Sequence, residues 1–108
     1  MAKEGFAIIF VTVPNLKTAR QLARAALTAR LAACVNMVRG VESHYWWRGH
    51  MESTAEVQLL LKTQKKNVKA LEKLVREQHP FNTAEFLVVP VTGGSKKYLL
   101  WLAENSRG

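Results

Sequence analysis

Apolar and polar positions along the chain fall into a few sharply different rhythms. Phe6-Ala7-Ile8-Ile9-Phe10-Val11-Thr12-Val13 is an unbroken β-favouring run ended by Pro14, the pattern of a strand buried on both faces. Asn15 then suits a helix N-cap, because its side-chain oxygen can accept a hydrogen bond from an unpaired first-turn amide. Beyond it Leu16, Ala19, Leu22, Ala23, Ala26 and Leu27 recur at helical spacing, with Lys17, Arg20 and Arg24 on the opposite, outer side.

A second strand begins at Cys34-Val35-Asn36-Met37-Val38, with Gly40 offering a place for a bulge. It continues through Ser43-His44-Tyr45-Trp46-Trp47 to a turn at Arg48-Gly49 and returns through His50-Met51. Glu56-Val57-Gln58-Leu59-Leu60-Leu61-Lys62 is the partner strand, with Val57, Leu59 and Leu61 on its buried face, so a long β-hairpin is expected. Lys65 to Gln78 reads as a second amphipathic helix on a stripe of Val68, Leu71, Leu74 and Val75, stopped by Pro80. Phe86 to Val91 is a fourth strand whose Pro90 predicts an edge position or a bulge. After Gly93-Gly94, Ser95 caps a short last helix with Tyr98, Trp101 and Leu102 expected on its inward side.

The order strand–helix–strand–strand–helix–strand predicts an α+β fold, a ferredoxin-like βαββαβ sandwich with an extra C-terminal helix. Two helices on one side cover only one face of a sheet. The first and fourth strands are apolar on both faces, Leu60 adds to the other side, and no segment is left to cover it. Apolar surface left in water costs about 25 cal/mol per Å², so a second copy of the same sheet is the expected cover. The hairpin tip of Tyr45, Trp46 and Trp47 joins Leu60 as the expected oligomer interface, since aromatic tips commonly anchor contacts.

Composition narrows the setting. A chain of 108 residues, 48% hydrophobic and 22% charged, is sized for one domain, residues 1–108. No apolar stretch reaches the roughly 18–20 residues that cross a bilayer, so no membrane partner is expected. Met1-Ala2-Lys3-Glu4-Gly5 leads into the first strand without a signal-peptide pattern. The single cysteine, Cys34, has no internal partner, which fits a reducing cytoplasm. Sixteen Lys and Arg against eight Asp and Glu give a net charge of +8, which raises nucleic acid as a partner. The cations fall largely on helix faces, where a solvated surface accounts for them equally well.

Several short motifs, in order, then make the chain resemble the CutA family of divalent-cation-tolerance proteins. They are Leu31-Ala32-Ala33-Cys34-Val35-Asn36, Tyr45-Trp46-Trp47-Arg48-Gly49, Glu56 through Leu61-Lys62-Thr63, and His79-Pro80-Phe81 followed by Glu85. Val89-Pro90-Val91 and Tyr98-Leu99-Leu100-Trp101-Leu102 complete the set, which covers nearly the whole chain. The resemblance implies a tight homotrimer of PII-like architecture, a link to copper or another divalent cation, and no enzymatic activity; because this chain keeps only part of the family's ligand pattern, any such ion is expected to be weakly bound.

Candidate metal ligands follow from both routes. Cys34 is the soft ligand, although a lone cysteine at a helix–strand junction more often packs as a small apolar side chain. His79 ends a helix beside Pro80, where backbone carbonyls and Glu85 are placed to orient it, and the Glu85 carboxylate is itself the third candidate metal ligand. The resemblance places ligands of copper-linked members on the first strand, as a cysteine, and at two adjacent histidines before the proline. Val11 and Gln78 stand at two of those places and only His79 matches. His44 and His50 lie on opposite faces of the hairpin under a two-residue turn, so they do not form a pair. Glu56, Lys62, His79 and Glu85 are expected to line a cleft between subunits. Gly93-Gly94-Ser95-Lys96-Lys97 lacks the full spacing of a phosphate-binding loop.

The leading functional expectation is therefore a trimeric binding or signalling protein concerned with metal-ion tolerance. The alternative is a basic ferredoxin-like RNA-binding module, which would need stacking aromatics on both central strands. The first strand offers Phe10, but the third offers none from Val57 to Leu61, so no sequence-specific nucleic-acid binding is expected.

Overall fold

The computed structural model describes residues 5–108; residues 1–4, which carry most of the N-terminal pattern read above, lie outside them. Strand β1 (Phe6–Val13) leads into helix α1 (Leu16–Thr28), then β2 (Cys34–Trp47) and β3 (His50–Gln64). A single 3-10 turn at Lys65–Asn67 enters α2 (Val68–Gln78), followed by β4 (Leu87–Val91) and α3 (Lys96–Glu104). Asn15 caps α1 as expected, its Oδ1 accepting from the Thr18 amide at 2.8 Å, and the Ser95 hydroxyl caps α3 through the Tyr98 amide at 3.2 Å. All strand pairs are antiparallel and the sheet order is β2-β3-β1-β4, the ferredoxin-like arrangement.

Alternation along the two central strands separates the faces. Ile9, Val11 and Val13 of β1 pack with Leu59 and Leu61 of β3 against Ala19, Leu22 and Ala26 of α1 and Leu71 and Val75 of α2. Each large side chain fully buried there contributes on the order of 1.5–3 kcal/mol. The even-numbered residues of β1 and β3 point to the other face. Pro90, which has no amide hydrogen to give, sits in edge strand β4 opposite Ala7.

The hairpin is longer and more regular than its sequence rhythm suggested, with β3 running unbroken from His50 to Gln64. Arg48 (φ 51°) and Gly49 (φ 80°) both take the left-handed conformation that a two-residue hairpin turn demands. Gly40 (φ 70°) occupies a bulge where the register shifts between Val38 and Val41. The hairpin projects as an arm. The chain measures 46 × 25 × 23 Å with a radius of gyration of 14.4 Å, against about 13 Å for a compact domain of this size.

Helix α3 corrects part of the expectation for the second face. Gln64 points to that side, and its Nε2 donates to the carbonyls of Ala103 (3.0 Å) and Ser106 (2.8 Å). Asn67 Nδ2 donates to the same Ser106 carbonyl at 2.6 Å. These bonds lay α3 over one end of the second face with Leu102 buried beneath it. Tyr98 and Trp101, expected inward, remain 42% exposed each, their rings 5.5 Å apart. A helix this short has one inward position per turn, and Leu102 takes it.

Candidate functional site

The rest of the second face stays open. The register sets Ile8 beside Val89 and Lys62, and Phe10 beside Leu87 and Leu60. Leu60 in turn opposes Asn36, and Val38 opposes Gln58. Ile8, Phe10, Val38, Leu60, Leu87 and Val89 therefore form one apolar band across all four strands, with Leu87 still 55% exposed. The continuous apolar runs of β1 and β4, too long to serve one face alone, carried the signal for this band.

The aromatic tip divides. Tyr45, Trp47 and Thr54 share one face of the arm, the Thr54 hydroxyl lying 3.4 Å from the Tyr45 hydroxyl. Trp46 stands on the other face opposite Met51. The four residues expected as one interface are thus split, because three consecutive strand residues cannot share a side. Trp46 and Met51, 70% and 68% exposed, make a separate apolar spot. The Arg48 guanidinium lies 5.5 Å from the Trp47 ring.

The expected cleft residues also separate within one protomer. Glu56 and Lys62 share a face but stand about 20 Å apart along an extended strand. Lys62 opposes Cys34 and Ile8, with its ammonium 5.8 Å from the Tyr98 ring. At the arm end of the sheet, Gln58 Nε2 donates to the Val11 carbonyl at 3.1 Å and reaches Glu85 Oε1 at 3.5 Å. Gln58 pairs with Thr12, whose carbonyl receives the ring of His79. His79, Thr12, Gln58 and Glu85 therefore converge, with Glu56 the next outward residue on that face, while Lys62 belongs to the other end.

His79 is buried and both ring nitrogens are engaged. Nδ1 accepts from the Phe81 amide at 3.1 Å, which leaves the proton on Nε2 to donate to the Thr12 carbonyl at 2.7 Å. The Phe81 ring closes over it at 5.1 Å. For His79 to bind a metal, one of these two hydrogen bonds would have to be given up. Cys34 is half-buried on the second face, its Sγ 3.9 Å from Asn36 Oδ1. The three expected ligands thus occupy two ends of the sheet, and among the described residues no three His, Cys, Asp or Glu side chains gather in a way that could hold a metal ion. A tight copper or zinc site needs three or four converging ligands. The described residues of one protomer do not bring that many together. His44 and His50 stand on opposite faces as expected, and His44 Nε2 pairs with Glu42 at 2.6 Å.

No helix among the described residues is long and apolar enough to cross a membrane. β3, central in the sheet, presents Gln58, Leu60 and Lys62 to the second face, with no aromatic for base stacking.

Comparison with known proteins agrees with this architecture. The family model described as CutA1 divalent ion tolerance protein matches residues 7–105. The divalent-cation tolerance protein CutA of Pectobacterium atrosepticum is 42% identical over 100 residues, covering 93% of this chain and 91% of that protein. The chloroplastic protein CutA 1 of Oryza sativa is 40% identical over 93% of this chain, which spans only 56% of the rice protein's length. The crystal structure of CutA1 from Oryza sativa superposes with a TM-score of 0.93 at 38% identity, covering 97% of each chain. Motif order, sheet topology and these matches agree: the chain belongs to the CutA1 divalent ion tolerance family.

Proposed function

We propose that the chain acts as a non-catalytic homotrimer whose second faces close against one another, and that it serves divalent-cation tolerance through weak, exchangeable contacts. The observation that carries this reading is the open apolar band of Ile8, Phe10, Leu60, Leu87 and Val89. A band of this kind calls for a cover, and α3 spans only the Gln64 end. Closed cyclic association of identical faces buries it without leaving a free edge. The trimeric count comes from the family resemblance. Burial of the band brings the Gln58–Glu85 end of one subunit against a neighbour, so Glu56 and Glu85 form the polar rim of the cleft there, with Lys62 at the opposite end of the same face.

The cation role follows from the family and from the relative named for divalent-cation tolerance. Copper enters as one exchangeable divalent ion among several, because His79 is already satisfied and Cys34 lies apart from it. The half-exposed thiol of Cys34 favours a reducing compartment, and we assign the chain to the cytoplasm. Native mass spectrometry of the purified protein with added Cu(II), Zn(II) or no metal tests both halves. A trimer in every condition, with metal adducts that fade on dilution, is the expected result. A monomer that assembles only with stoichiometric copper would overturn the reading.

A further inference from the structure

We propose that the groove between α1 and β2 binds a small amphiphilic anion, an apolar or aromatic body carrying a phosphate group. The groove is an open hollow of about 350 Å³ lined by Arg20, Arg24, Leu27, Thr28 and Met37. Its position follows from the fold. α1 packs its Ala19-Leu22-Ala23-Ala26 stripe on the centre of the sheet, while edge strand β2 reaches beyond it. Met37, opposite the buried Leu59, therefore faces the helix layer and is only partly buried. Leu27, 40% exposed, flanks it.

Arg20 and Arg24 lie one helical turn apart on the same rim, about 5–6 Å between their Cβ atoms. Among the described residues neither makes an ion pair. Two guanidiniums at that spacing present planar donor forks to the separate oxygens of one phosphate, a geometry that lysine would not reproduce. Thr28 adds a hydroxyl, and Leu27 with Met37 gives an apolar floor beneath the charged rim. That pairing distinguishes the groove from the solvated cations elsewhere on the helices. It lies on the helix side of the sheet, away from the second face.

Phenyl phosphate is the probe, with inorganic phosphate and phenol as its two halves. Carbon-13 methyl-methionine labelling supplies the reporter, since Met37 lies in the groove and Met51 on the distant arm is an internal control. Phenyl phosphate should shift the Met37 methyl signal saturably and leave Met51 unmoved. Arg20→Gln/Arg24→Gln should weaken it at least about tenfold while Lys17→Gln does not. Leu27→Gln should erase the preference for phenyl phosphate over inorganic phosphate. Equal binding of the two phosphates by the wild-type chain, or an unmoved Met37 signal, would overturn the proposal. So would retention of phenyl phosphate by the double arginine variant.

Discussion

The imidazole of His79 donates to the main-chain carbonyl of Thr12 at 2.7 Å, fastening the end of α2 to the far end of β1. Because the same ring accepts from the Phe81 amide, His79 also fixes the chain's exit past Pro80 towards β4. The residue with the strongest claim to a metal in the sequence is thus a buried strut in the fold.

His79→Ala should cost about 2–3 kcal/mol, since it leaves a buried carbonyl and an amide without partners. Urea denaturation read by tryptophan fluorescence checks this. An unchanged midpoint would remove the structural role.

Metal affinity should be low and should not depend on His79. Isothermal titration of Cu(II) and Zn(II) is expected to give dissociation constants of roughly micromolar or weaker, as a scattered donor set allows. His79→Ala and Cys34→Ser should each change them less than about threefold. A stoichiometric nanomolar site lost in either variant would restore the ligand reading.

The Arg48-Gly49 turn carries a correctable strain. Asparagine tolerates the left-handed conformation better than arginine, so Arg48→Asn should stabilise the chain by about 0.5 kcal/mol. Chemical denaturation measures it, and a loss of stability would mean that the Arg48–Trp47 contact outweighs the turn.

Gln64 holds α3 in place. Gln64→Ala should destabilise by about 2 kcal/mol and speed amide exchange across Lys96–Glu104 more than in β1. Uniform acceleration across both elements would show that α3 is secured by other contacts.

Local chemistry made much of this fold legible. Asn15, Pro14, Ser95, Pro80 and Gly49 each act within a few residues, at a cap, a strand or helix end, or a turn that their backbone chemistry favours. The placement of α3 and the occupation of His79 were not legible. Gln64 meets Ala103, and His79 meets Thr12, across long stretches of chain, and such polar pairings leave no periodic trace. The split of Trp46 from Tyr45 and Trp47 was available from strand alternation. Residue type drew the three together, and period decides against it.

Assembly through the second face is the central claim, and sedimentation equilibrium at micromolar concentration tests it most directly. Wild-type protein should sediment as one species of three times the 12.2 kDa protomer mass. Leu60→Glu, which puts a charge in the middle of the apolar band, should dissociate it into monomers. Trp47→Ala should weaken association by about 2 kcal/mol. A wild-type monomer, or a trimer untouched by Leu60→Glu, would contradict the account.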